Sequence, residues 1–139
     1  MESPKKAGFI RLGETNLTVA EPKDDIRGRK VTDHAGDEMG KVKSLFVDED
    51  AKQVRFFEME SGGLFGFGSE TRLIPLEAIE TVTDDEVRVD AAREHVQRSP
   101  IYDPEVTYDE RYYGDVYGYY GFAPYWGTGR PYPPHSRDG

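Results

Sequence analysis

The chain has 139 residues, 32% of them charged and 36% hydrophobic, and its formal net charge is −9. That length accommodates roughly one domain with a single core. Nucleic-acid-binding proteins gain most of their affinity from basic patches that face phosphates. An acidic chain with scattered basic residues is therefore a poor candidate for that class. The absence of cysteine excludes a disulfide framework, a thiolate zinc site and a cysteine nucleophile.

The sequence also carries no signal for a membrane. No stretch approaches the roughly 18 consecutive apolar residues of a membrane-spanning helix. Residues 1–8 lack the apolar run that follows the basic residues of a signal peptide. We therefore expect a cytoplasmic protein that is neither inserted into a membrane nor anchored to one.

Three zones differ in composition. Residues 1–24 are a polar N-terminal extension with one apolar patch around Phe9, and residues 25–104 carry nearly all the Val, Ile and Leu. Residues 105–139 hold eight of the nine tyrosines and the single tryptophan, together with many Gly and Pro residues. We expect the middle zone to be the folded domain.

The middle zone reads as a series of short strands separated by polar turns. Apolar residues alternate or cluster in five stretches, which we predict to be strands: Arg29–Thr32, Met39–Asp48, Gln53–Glu60, Arg72–Pro75 and Glu86–Asp90. Regular turn signals at this spacing favour a small sandwich or barrel over βαβ units. Pro75 should end the fourth strand or mark a bulge in it, because proline cannot donate to a strand ladder.

One short helix is predicted near the end of the middle zone. Residues 91–98 are mostly good helix formers, and Pro100 biases the residue before it away from the helical region. Asp90 precedes the run and is the expected N-cap. Residues 76–79 could form a single helical turn between the last two strands.

Candidates for catalysis or metal binding are few. His34 lies in a predicted loop between Asp33 and Asp37, a setting typical of a solvated turn rather than a metal site or a general base. The acidic runs lack the alternating oxygens and the glycine of a calcium loop. We therefore expect no enzyme activity, no catalytic residue, no cofactor and no metal.

The remaining candidates are aromatic contact residues. The glycine-rich segment 62–68 is not followed by the Lys-Ser/Thr of a phosphate loop. Its apolar side chains either cap the barrel or form a patch for a protein partner. The predicted partner-binding residues come from this segment and from the tail: Leu64, Phe65, Phe67, Tyr125 and Trp126.

The tail from Glu105 onward has too few aliphatic residues to build a core of its own. We expect residues 105–139 to be largely disordered. Three roles remain open for this tail: docking back on the domain or on a partner through Tyr and Trp, weak self-association, or a flexible solubilising extension.

The ordered series of motifs resembles the PRC-barrel domain family. The first two predicted strands carry the pattern of the family's opening hairpin, with matches at Gly28, Val31, Asp33, Gly36, Gly40, Val42, Leu45, Val47 and Asp48. Met39 stands where Ile or Val is usual, and Ser44 replaces the family's common acidic residue. The segment Arg72–Leu76 resembles the family's strand end with a central proline, and residues 86–104 resemble its closing segment.

The resemblance implies an all-β fold, a small partly open six-stranded PRC-type β-barrel that often pairs into dimers. It also implies binding to proteins rather than catalysis, and the family includes stand-alone bacterial copies. We therefore expect a non-catalytic interaction module that forms a homodimer through exposed strand edges. The alternatives are a role in electron or proton transfer like that of the H subunit of the photosynthetic reaction centre, and a ribosome- or RNA-linked role. A small-molecule or proton-handling site near His34 is a third alternative, and it requires a buried titratable group.

Overall fold

A computed structural model describes residues 9–12, 25–48, 52–62, 70–103, 106 and 108–123. These residues form seven strands, a 3₁₀ turn and two helices. The strands are β1 (Phe9–Arg11), β2 (Lys30–Thr32), β3 (Glu38–Asp48), β4 (Gln53–Ser61), β5 (Glu70–Pro75), β6 (Ile79–Val82) and β7 (Glu86–Val89). The 3₁₀ turn is Leu76–Ala78, and the helices are α1 (Arg93–Gln97) and α2 (Glu110–Tyr119).

The strands form one curled sheet in the order β5-β4-β3-β2-β7-β6. β2 and β7 pair in parallel, and the other neighbours pair antiparallel. β1 pairs with the last residues of β3, whereas β2 pairs with its first residues, so both strands lie along the edge of β3 opposite β4. The predicted six-stranded, half-open barrel is thus confirmed, with β1 as an addition to it.

The main core lies on one face of this sheet. Strand residues alternate between the two faces, and those of the main core include Val31, Leu45, Phe57, Ile74 and Val87. All five are at most 2% exposed. Val96 of α1 closes this core and is fully buried. Burial of such a set is the dominant favourable contribution to folding.

One glycine is required by the close approach of two central strands. A Cβ atom on Gly40 in β3 would lie 2.3 Å from the backbone carbonyl oxygen of Glu60 in β4. Real Cβ atoms do not make contacts this short. Only glycine fits there without moving the backbone, which gives a physical reason for this position in the opening hairpin pattern.

The opposite face is covered by the flanks of the chain. Phe46, Phe56 and Leu73 of β3, β4 and β5 are buried on it beneath Tyr102 and α2. Helix α2 buries Tyr113, Val116 and Tyr117, in addition to Gly114, against this face. We call the face formed by Phe46, Phe56, Glu58 and Leu73 the aromatic face.

The predicted disorder of the tail is wrong for residues 108–123. Asp109 accepts hydrogen bonds from the amides of Arg111 and Tyr112 and so caps α2. At the other end Gly121, with φ of +89°, donates to the carbonyl of Gly118, and Phe122 donates to that of Tyr117. This pair of bonds is a Schellman motif, which satisfies the last carbonyls of the helix. Residues 124–139 lie outside the described part of the chain.

The predicted N-cap of α1 is also wrong. The helix begins at Arg93 after Ala92, and no side chain caps it. Asp90 instead donates its backbone amide to the carbonyl of Ala78, at 2.8 Å, next to the pairing of Val89 with Ile79. The predicted turn at residues 76–79 and the end of β5 at Pro75 are confirmed.

Candidate functional site

Two features of the described residues bear on function: the free edge at β6, and the aromatic face that Tyr102 and α2 cover. The edge follows from the strand order, because β6 and β5 are the two ends of the sheet. At the β5 end, Thr71 accepts a bond from the amide of Tyr102 at 2.8 Å and donates its hydroxyl to the carbonyl of Tyr102 at 2.7 Å. The chain itself therefore shields part of β5.

No described residue shields β6 in that way. Its last residue, Val82, is 45% exposed, and Glu80 and Thr81 are exposed as well. The amide of Thr83 donates to the carbonyl of Glu86 and so faces β7. Because successive amides of a strand alternate in direction, the amide of Val82 faces the free edge.

An ion pair with a fully buried carboxylate lies at the centre of the aromatic face, and its arginine, Arg11, is 24% exposed. Glu58 in β4 is fully buried and alternates with Phe57, which places it on the same face as Phe56. Its Oε1 and Oε2 accept bonds from Nε and Nη2 of Arg11 at 3.1 and 3.2 Å. Ser44 donates its hydroxyl to Oε1 at 2.5 Å. The carboxylate is thus held by three donors from two neighbouring strands.

Aromatic rings close over this pair. The guanidinium carbon of Arg11 lies 5.5 Å from the ring centre of Phe46 and 5.8 Å from that of Tyr102, within the range of a cation–π contact. Tyr113 and Tyr117 of α2 contact Phe56, with ring centres 5.8 and 4.9 Å apart. Burial, the largest cause in each case, raises the pKa of both tyrosines well above the usual value near 10.

The far end of α2 is held by α1. The rings of His95 and Tyr119 stack with their centres 4.2 Å apart. Tyr119 donates its hydroxyl to the carbonyl of His95 at 2.7 Å, and Nε2 of His95 lies 3.1 Å from the carbonyl of Tyr119. This reciprocal pair fixes the C-terminal end of α2 beside the main core.

The predicted loop around His34 is a structural turn. Asp33 accepts bonds from the amides of Asp37 and Ala35, and these bonds lower the pKa of its carboxyl group. The His34 side chain is exposed. Among the described residues, no group of three histidine or acidic side chains is arranged to hold a metal ion.

The predicted partner-binding residues lie outside the described part of the chain. Residues 63–69 include Leu64, Phe65 and Phe67, and residues 124–139 include Tyr125 and Trp126. Among the described residues, Met39, Gly40 and Gly62 help to line an open cleft of about 400 Å³. Sequence reasoning missed both Glu58 and the edge at β6. Glu58 had one available signal, since it is an acidic residue between Phe57 and Met59 in the middle of a predicted strand.

Comparison with known proteins identifies the family. Every helix among the described residues is too short or too polar to cross a bilayer. A search of curated proteins gave no match. The family model for the PRC-barrel domain matches residues 18–96, more than half of the chain. Together with the half-open six-stranded sheet, this match shows that the chain belongs to the PRC-barrel domain family.

Proposed function

We propose that this chain is a non-catalytic, cytoplasmic protein-interaction module that forms a homodimer through the free edge at β6. The observation that carries the proposal is the exposed strand at one end of the sheet, where the Val82 amide faces away from β7. Such an edge is a template for pairing with another strand. Leu64, Phe65, Phe67, Tyr125 and Trp126 remain the predicted side-chain contacts.

The setting of the buried polar groups supports a non-catalytic role. Glu58 is satisfied by Arg11 and Ser44 beneath aromatic rings, and Asp33 holds a turn. The buried Arg72 donates to the carbonyl of Gln97 at 2.7 Å and to Glu70 at 2.9 Å. Each of these groups has a structural partner, whereas a catalytic acid or base needs access to a substrate.

The alternatives receive less support. A buried titratable group, Glu58, does exist, which is the feature that a proton-handling role requires. However, it is fully enclosed and ion-paired, so no proton path to it is evident in the described residues. An RNA-linked role is disfavoured by the net charge of −9.

The edge can be tested by replacing Val82 with proline. The substitution removes the outward amide, and prolines are tolerated on strand edges that face solvent. We expect the dissociation constant of the dimer, measured by light scattering over a concentration series, to rise about tenfold or more. Val82→Ala keeps the amide and is the matched control, for which we expect little change. Equal dissociation constants for the two variants, or a strictly monomeric wild type, would contradict the proposed dimer.

A further inference from the structure

The aromatic face lies within the residues that the family model matches, whereas the groups that cover it lie outside them. Phe46, Phe56, Glu58 and Leu73 all lie inside the matched residues 18–96. The covering groups, which are Phe9, Arg11, Tyr102 and α2, all lie outside that match. Without these flanks the matched domain would expose a continuous apolar surface around a carboxylate. A surface of that kind marks a site of interaction.

Helix α2 occupies this surface as a helical ligand occupies a groove. Its buried side chains are spaced three and four residues apart, at Tyr113, Val116 and Tyr117, and Tyr120 continues the stripe. This is the spacing by which an amphipathic helix inserts one face into a protein groove. Tyr117 is fully buried and contacts Phe56 at the middle of the face.

The sequence of α2 makes the helix weak when it is not docked. It has ten residues, and helices of that length are marginal in isolation. It also contains Gly114 and Gly118, and glycine is the poorest helix former apart from proline. At Gly118 an added Cβ atom would meet nothing within 4 Å. Packing therefore does not require glycine at residue 118, although glycine there weakens the helix.

We propose that the aromatic face is a binding site for an amphipathic helix of a partner protein, with α2 as its intramolecular competitor. The partner helix would carry aromatic residues at the spacing of α2 and better helix formers where α2 has glycine. A second copy of the chain is a poor occupant of the aromatic face. Its α2 would compete with the chain's own α2, which is tethered at an effective concentration of about a millimolar. The site is separate from the edge at β6, so it does not depend on the proposed dimer.

The test uses a fluorescent peptide of residues 106–123 that carries Gly118→Ala, with binding to the full-length chain followed by anisotropy. Variants of α2 change only the competitor and leave the aromatic face intact. We expect the Tyr117→Ala chain to bind the peptide about tenfold or more tightly than the wild type, because its own helix loses its central anchor. We expect the Gly118→Ala chain to bind it about fivefold more weakly, as its own helix is stabilised.

The control is the same peptide with Tyr117→Ala, which should not bind any of the three chains. Should the Tyr117→Ala chain fail to fold, the wild type and the Gly118→Ala chain alone decide the matter. Equal affinity of these two chains, or no binding to any chain, would overturn the proposal. If the full-length chain forms a dimer and Gly118→Ala makes that dimer tighter, the aromatic face binds a second copy of the chain. That result would overturn the proposal of a partner helix as well.

Discussion

Replacing Arg11 with alanine is expected to lower the free energy of unfolding by about 3 kcal/mol, the low end of the usual effect of removing one partner of a buried ion pair, because Glu58 is fully buried whereas the Arg11 side chain is 24% exposed. Glu58 is fully buried, and Arg11 supplies two of its three hydrogen bonds. Without the guanidinium, the carboxylate would stay enclosed. Of the three hydrogen bonds, only the one from Ser44 would remain. Urea denaturation of the two proteins measures the difference.

A matched control is available at the surface. Arg27 pairs with Asp25, and both side chains are partly exposed, at 38% and 26%. Exposed pairs contribute about 0–1 kcal/mol because water screens them. Arg27→Ala should therefore cost far less than Arg11→Ala. Similar small losses for both variants would show that β1 does not hold Glu58 as described.

Replacing Gly40 with alanine is expected to destabilise the protein by about 1–3 kcal/mol, the usual range for overpacking. The added methyl group would lie 2.3 Å from the Glu60 carbonyl oxygen, and neither backbone can move without disturbing the pairing of β3 with β4. Thermal or urea unfolding would report the loss.

The same substitution at Gly118 should act in the opposite direction. There the methyl group meets open space, so the higher helix propensity of alanine should stabilise α2 by up to about 1 kcal/mol.

If Gly40→Ala unfolds at the same urea concentration as the wild type, β3 and β4 do not approach each other as closely as described.

The sequence predicted the strands that combine apolar residues with clear turns. The bounds of five strands (β2, β3, β4, β5 and β7) lie within two residues of the predicted ones. Each of these strands buries the side chains of one face in the main core, which gives it a clear sequence pattern. β1 was missed since its three residues are ordered by pairing with the distant β3. β6 was missed because it is short, and of its four residues Glu80, Thr81 and Val82 are exposed.

Helix α2 could not be recognised from propensity. Its two glycines and its single aliphatic residue, Val116, are typical of a disordered segment, and the packing of Val116 and the tyrosines on the aromatic face stabilises the helix. Two local signals were available: Asp109 as an N-cap and Gly121 as a C-terminal glycine. Neither reveals the face on which the helix docks. The domain boundaries at residues 24 and 104 stay predictions.

The burial of Glu58 depends on contacts that are distant in sequence. Its ion-pair partner Arg11 lies 47 residues away, in the polar N-terminal extension. From the sequence alone, an acidic residue in a sheet with one buried face and one solvent-facing face is expected on the solvent-facing side. Glu58 becomes an interior residue only because β1 and α2 pack on that face of the sheet.

Alkaline titration of the nine tyrosines tests most directly whether the tail covers the aromatic face. Burial is the main cause that raises the pKa of Tyr120 to about 12, and it raises those of Tyr112, Tyr113 and Tyr117 further. A raised pKa in the folded state stabilises the fold fully below the unfolded value near 10, and this contribution is lost as the pH rises through the folded value.

We therefore expect the ultraviolet absorbance of tyrosinate to rise in two steps. The second step, above the usual range near pH 10, should come from Tyr112, Tyr113, Tyr117 and Tyr120, together with the loss of the helical signal of α2. Tyr117→Ala should shift the second step toward the first. A single step near pH 10 that includes all nine tyrosines would show that α2 does not dock on the sheet.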